Sequence, residues 1–212
     1  MNTLTSKTDL LKSDPNYYKA SKKPVIVDLD VYYYLTASGQ CAPEDPQFHA
    51  ALEALYKVGY TLKFMMKEND LDFVVPKMEG FWWVDQEITS SAEFKKIPRS
   101  QWHWKIMIRL PDFVENMHFT QAQALASDKN PGLSGIASIN MEKINEGRAA
   151  QILHVGSYEE EDETLAKLYD FIEAEGCEIN NHHHEIYLSD PRRTPENKLR
   201  TILRCGIKEK SM

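Results

Sequence analysis

One order of elements occurs twice in this chain and limits what it can fold into. The stretch VIVDLDVYYY (25–34) is β-branched and aromatic and reads as a strand. A loop, TASGQCAPEDP, follows. Pro46 to Val58 then places Phe48, Leu52, Leu55 and Tyr56 at helical spacing, with Gly59 as the expected stop. KMEGFWWVDQE gives a second strand after a turn at Glu79-Gly80, and WHWKIMIRL (102–110) a third, closed by Pro111. The same series returns downstream. AAQILHVGSY is a strand and turn, and Glu160 to Glu175 carries Leu165, Leu168, Tyr169 and Ile172 on one helical face before Gly176. HHHEIYLSD and KLRTILRCGI supply the closing strands.

Two β-α-β-β modules are therefore expected, as an α+β fold. They would join edge to edge into a pseudo-twofold sheet, with helices on one face and a ligand groove on the other. The first module spans about 24–111 and the second about 148–207; connecting helices fill about 112–147, the last of them over 138–146. Residues 1–23 read as a polar, loosely held N-terminal segment, and 24–212 as a single domain.

Composition narrows the function. Apolar residues make up 42% of the 212, enough for a core, and the net charge of −7 disfavours a nucleic-acid surface while favouring cationic ligands. No run reaches the roughly 18 apolar residues of a membrane helix, and the N-terminus lacks a signal core. Cys41, Cys177 and Cys205 lie far apart and form no CxxC. Reduced thiols in a cytoplasmic protein are the expectation.

The strand NHHHEIYLSD (181–190) carries the chemistry. Alternation puts His183, Glu185 and Tyr187 on one face and His184, Ile186 and Leu188 on the other. Adjacent histidines diverge, so His182, His183 and His184 cannot converge on one ion, and His183 with Glu185 offers only two ligands. No metal and no cofactor are expected. No G-x-S-x-G or glycine-rich phosphate loop occurs. The acidic run EEEDE (159–163) reads as a helix first turn, and Asp190-Pro191-Arg192-Arg193 as a turn before the last strand.

Aromatic residues crowd the same strands. All four tryptophans, Trp82, Trp83, Trp102 and Trp104, lie in the first module with Tyr32, Tyr33 and Tyr34. Of Trp82 and Trp83, one must face the core. The second module supplies Tyr158 and Tyr187 near Glu185, and His154, whose approach to Glu185 the sequence does not show. Any single ring reads first as core. Together they suggest an aromatic cavity with a few polar groups, the usual form of a small-molecule site. Glu185 at its base would attract a lipophilic cation, or act as a base toward water.

The stretches PKMEGFWW, WKIMIRLPDFV, QILHVGSYEEE and HHHEIYLSDPRRTPENKLRTIL resemble the GyrI-like small-molecule-binding family, and more narrowly its stand-alone bacterial members. The resemblance runs from about Tyr17 to Ile207. It implies two β-α-β-β modules with a groove between them. It equates the family's pocket glutamate with Glu185 and its neighbouring aromatic with Tyr187, and an aromatic cage with Trp83, Trp102, Trp104 and Tyr34. His183, His154 and Tyr158 join as ligand-binding candidates from the residue reading. Family members fused to a helix-turn-helix sense lipophilic cationic drugs. No such pair precedes the domain here, so direct nucleic-acid binding is not expected. Part of the stand-alone group is implied to hydrolyse cyclopropanoid DNA-alkylating compounds. Three readings stay open: a hydrolase of such planar compounds, a non-catalytic binder of aromatic or cationic drugs, and an interaction protein whose partner the sequence does not identify.

Overall fold

A computed structural model describes residues 7–86 and 91–210. Two short helices, α1 (Leu10–Ser13) and α2 (Pro15–Tyr18), lead into β1 (Val25–Asp28) and β2 (Val31–Gln40). The long α3 (Pro46–Glu68) precedes β3 (Glu79–Trp83), α4 (Ser91–Lys96) and β4 (His103–Arg109). After α5 (Asn116–Lys129) come β5 (Asn140–Asn145), β6 (Arg148–Val155), α6 (Asp162–Ala174), β7 (Cys177–Ile179), β8 (His183–Tyr187) and β9 (Arg200–Glu209). No helix among the described residues is long and apolar enough to cross a membrane.

The sheet order is β1-β6-β9-β8-β3-β4-β2-β5, with β7 paired to β9 off this path. All its paired strands are antiparallel. The order β6-β9-β8 then β3-β4-β2 is palindromic, so the two expected modules meet at the β3–β8 pair. The α+β class and the pseudo-twofold plan hold. The modules are also laced together at their edges: β1, at the start of the first, pairs with β6, and β5, just before the second, pairs with β2.

Four local expectations change. The run 25–34 is two strands, because Leu29-Asp30 redirects the chain from β6 to β4. α3 continues to Glu68; Gly59 lies inside it, where a Cβ would already touch Ile108 and Leu35. The helix ends instead near Asn69, before Asp70 at φ +60°. Residues 140–145 form the edge strand β5, not a helix, since β2 offers a free edge. The N-terminal segment is also not loose over its described part, since Tyr17 and Tyr18 are buried.

That last change relocates the groove. α3 packs over β2 and β4, and α6 over β6 and β7. Both lie on the face that carries Trp82, Glu185 and Leu203, and they leave the central β3–β8 pair uncovered. The opposite face, expected to hold the groove, is closed by Leu10, Tyr17 and Tyr18 against Phe81, Met107, Ile186 and Ile202. Burying such side chains stabilises by about 1.5–3 kcal/mol each. A fully paired polar group crosses this second core. His184 is held between Glu79 and Glu146 at 3.1 and 3.0 Å, and Arg204 bonds Glu146, Gln151 and the Tyr17 carbonyl. Tyr17 bonds both Tyr34 and Glu79.

Candidate functional site

Between α3 and α6 lies a cleft of about 1800 Å³ floored by β3 and β8. Strand alternation brings His183, Glu185 and Tyr187 up into it from β8. Glu185 sits opposite Gly80, where a Cβ would fall 3.1 Å from Trp82 Nε1 and 3.7 Å from the Tyr187 hydroxyl, so the bare backbone leaves room for that indole–phenol pair. The Tyr187 hydroxyl accepts from Trp82 Nε1 at 3.0 Å, and Tyr158 meets the Tyr187 ring edge-on at 5.7 Å. Burial and then the Glu185 charge push the Tyr158 phenol up to about 12 and hold the Tyr187 phenol well above its ordinary value. Both phenols stay protonated, and so remain able to donate, at neutral pH.

The carboxylate has two close companions. His183 Nε2 lies 3.3 Å from Glu185 Oε1, although neither ring nitrogen has hydrogen-bond geometry with a partner among the described residues. Burial lowers the affinity of this imidazole for its proton, but Cys205 and Glu185 outweigh burial and bring it to about 9. The second companion is Glu161, only 5% exposed. It occupies the N-cap of α6 but makes no side-chain cap. Its carboxyl turns into the cleft, and Oε1 has no partner among the described residues. Burial, and then repulsion from Glu185, raise its pKa to about 10. At neutral pH His183 is therefore an imidazolium and Glu161 a neutral carboxylic acid.

Ligating atoms of Glu161, His183 and Glu185 all lie within 4.8 Å of one another, so these three could hold a cation. The sequence offered only two of the donors. A metal would have to displace the His183 proton, because a ligating imidazole must be neutral.

Of the expected site residues, Glu185, Tyr187, His183, Tyr158 and Trp102 line the cleft. Trp83 borders it, but its ring is stacked between His182 at 4.4 Å and His103 at 5.4 Å. Three others lie elsewhere. Trp104 is core: it packs edge-on against Phe48, donates to Cys41 Sγ, and covers Gly39, where a Cβ would fall 2.3 Å from the indole. Tyr34 faces the opposite side of the sheet and bonds Tyr17. His154 is buried behind the cleft wall; its nitrogens lie 2.9 Å from Thr164 Oγ1 and the Ser157 carbonyl. It fixes the loop that carries Tyr158 and Glu161.

Glu161 and Trp82 are the residues the sequence reading missed. Position 161 is in phase with Leu165, Leu168 and Ile172, the buried stripe of α6, so periodicity alone aims it inward. Its place within EEEDE hid that signal. Trp82, stacked on Phe48 at 5.8 Å and edge-on to Trp102 at 6.4 Å, is the indole that floors the cleft.

A profile of the GyrI-like small molecule binding domain matches residues 22–205. The chain is similar to an uncharacterised conserved protein from Listeria innocua, at 32% identity over 95% of this chain and 100% of that one, with a TM-score of 0.88. Two hydrolase structures from Listeria innocua are also 32% identical, covering 95% and 96% of this chain and all of theirs, with TM-scores of 0.82 and 0.85. Among curated proteins, none matches.

Proposed function

The chain belongs to the GyrI-like small-molecule-binding family, and from that premise we propose that it hydrolyses planar cyclopropanoid alkylators, compounds with a spirocyclopropane conjugated to a dienone. The observation that carries this reading is the unlike pair of acids in the cleft, Glu161 buried and held neutral within 4.8 Å of the half-buried Glu185. Two carboxyl groups in environments that separate their protonation are how one site supplies both an acid and a base. The hydrolase structures from Listeria innocua, at 32% identity, support the reaction class.

The residues divide the work as follows. Trp82, Trp102 and Tyr158 enclose the flat ring system and exclude water. Glu161 donates its proton to the dienone oxygen. Glu185 takes a proton from a water directed at the cyclopropane methylene. The new bond is oxygen to methylene. The cyclopropane carbon–carbon bond breaks, and its electron pair enters the ring, which becomes a phenol. The sum is addition of one water, with one proton given and one received. His183 balances the charge on Glu185. Mass spectrometry of such an alkylator incubated with the protein tests the proposal: a ring-opened alcohol forming faster than in buffer is expected, and formation at the buffer rate refutes it.

A second reading is non-catalytic capture of lipophilic cations, favoured by the aromatic walls around Glu185 and the net charge of −7. Saturable quenching of tryptophan fluorescence by such a cation, with no turnover of the alkylator, would select it.

A further inference from the structure

The cleft does not end at the acids. α3 carries Phe48, Tyr56, Tyr60 and Phe64 in steps of four or eight residues. Phe48 stacks on Trp82, beside Tyr187 and Glu185. Tyr56 and Tyr60 line the same cleft farther along the helix, with ring centroids 6.2 Å apart and planes within 28° of parallel. Phe64 continues the row at 6.4 Å from Tyr60, but it lies outside the cleft wall.

Helical drift explains the change. Each step of four residues turns a side chain about 40° around the axis, so the row winds from the buried side at Phe48 to the open side at Phe64. Tyr60 is 48% exposed and Phe64 is 56% exposed. Single exposed apolar residues are ordinary, but a stacked tyrosine pair continued by a tilted third ring at the mouth of a cleft is not a scatter of singles. Across the mouth the loop Ser189–Arg193 forms the facing wall. The twelve steps from Phe48 to Tyr60 correspond to about 18 Å along the helix. That is longer than one tricyclic ring system.

We propose that Tyr56 and Tyr60 form a distal subsite for an elongated ligand, a linear series of flat aromatic units whose far unit stacks on Tyr60 while its near unit lies over Trp82. This inference rests on the small-molecule reading of the cleft and adds a length requirement to it. Hydrolysis of the near unit does not depend on the distal contact; affinity and selection between short and long ligands do.

Two dyes test it, a linear bisbenzimidazole as the long probe and proflavine as the short one, titrated by fluorescence against the full chain. An exposed aromatic stack contributes about 0.5–1.5 kcal/mol, which is roughly a two- to tenfold change in Kd. Tyr60→Ala is expected to weaken the bisbenzimidazole by that factor and to leave proflavine unchanged. Tyr60→Phe should restore the affinity for the long dye, and Phe64→Ala should change neither. Equal losses for both dyes, or no loss for the long dye, overturn the distal subsite while the cleft reading stands. Failure of both dyes to bind the wild-type chain overturns the cleft reading and this inference with it.

Discussion

His183 and His184 are neighbours on one strand, yet they sit in opposite electrostatic worlds. His184 is fully buried and both of its nitrogens have carboxylate partners, Glu79 and Glu146. Glu146 in turn pairs with Arg204; burial opposes ionisation, but the two cations prevail and bring its pKa down to about 2. On the other face His183 has only a 3.3 Å approach to Glu185, and Glu161 has a buried oxygen without a partner among the described residues. Buried polar groups are normally paired, and a buried acid left alone keeps its proton. One face thus uses charge to fasten the N-terminal segment to the sheet. The other keeps ionisable groups unfastened where a ligand can reach them. Buried charge by itself does not mark a site; a buried ionisable group left without a partner inside a cleft points to one.

The sharpest way to break this contrast is Arg204→Met. It removes the donor to Glu146 Oε2, Gln151 and the Tyr17 carbonyl, leaving Glu146 with His184 alone among the described residues, and removing one partner of a buried ion pair costs about 3–5 kcal/mol. Denaturant unfolding should show a loss of that size; a loss below about 1 kcal/mol would mean the network does not fasten the fold.

Glu161→Gln should behave in the opposite way. Turnover should fall by about 10²–10⁴, the usual contribution of a general acid. Stability should rise relative to wild type as pH increases. The sign follows from the raised pKa: the folded state holds the Glu161 proton more tightly than the unfolded chain does. Stability is therefore full below 4.5 and is lost as pH climbs towards about 10. Denaturant midpoints across that window should diverge from wild type, with the variant higher at the alkaline end. Parallel curves would show that Glu161 is not held neutral. Glu146 gives the mirror case: its contribution is present above 4.5 and is lost as pH falls through about 2.

The smallest effect is expected from Trp82→Phe. It keeps a ring over Phe48 but removes the donor to Tyr187, a bond worth about 0.5–1.5 kcal/mol. Ligand affinity should fall a few-fold with little change in unfolding. A loss above a hundredfold would make the indole N–H itself a ligand donor.

Much of this was legible because it is local. Strand alternation put His183, Glu185 and Tyr187 on one face, and helix periodicity with its closing glycine revealed the second module. What escaped was set by pairing between distant segments. No property of Trp104 or Tyr34 tells which face its strand presents to the cleft; that depends on the register of β2 against β4. The segment 140–145 has no strand period and becomes a strand because β2 lacks an outer neighbour. The docking of Tyr17 and Tyr18 requires Glu79, some sixty residues away, and it moves the groove to the helix-bearing side. Glu161 had the helical phase of a core position, but five consecutive acidic residues read as solvated.

The most direct measurement is the rate of ring opening of a spirocyclopropyl dienone by Glu185→Gln beside the wild-type chain, with ligand affinity followed in parallel by indole quenching. The expected result is that the variant still binds the flat ring system while turnover drops to near the buffer rate. Turnover that survives the substitution would contradict the assignment of the open face of the sheet as a reaction centre.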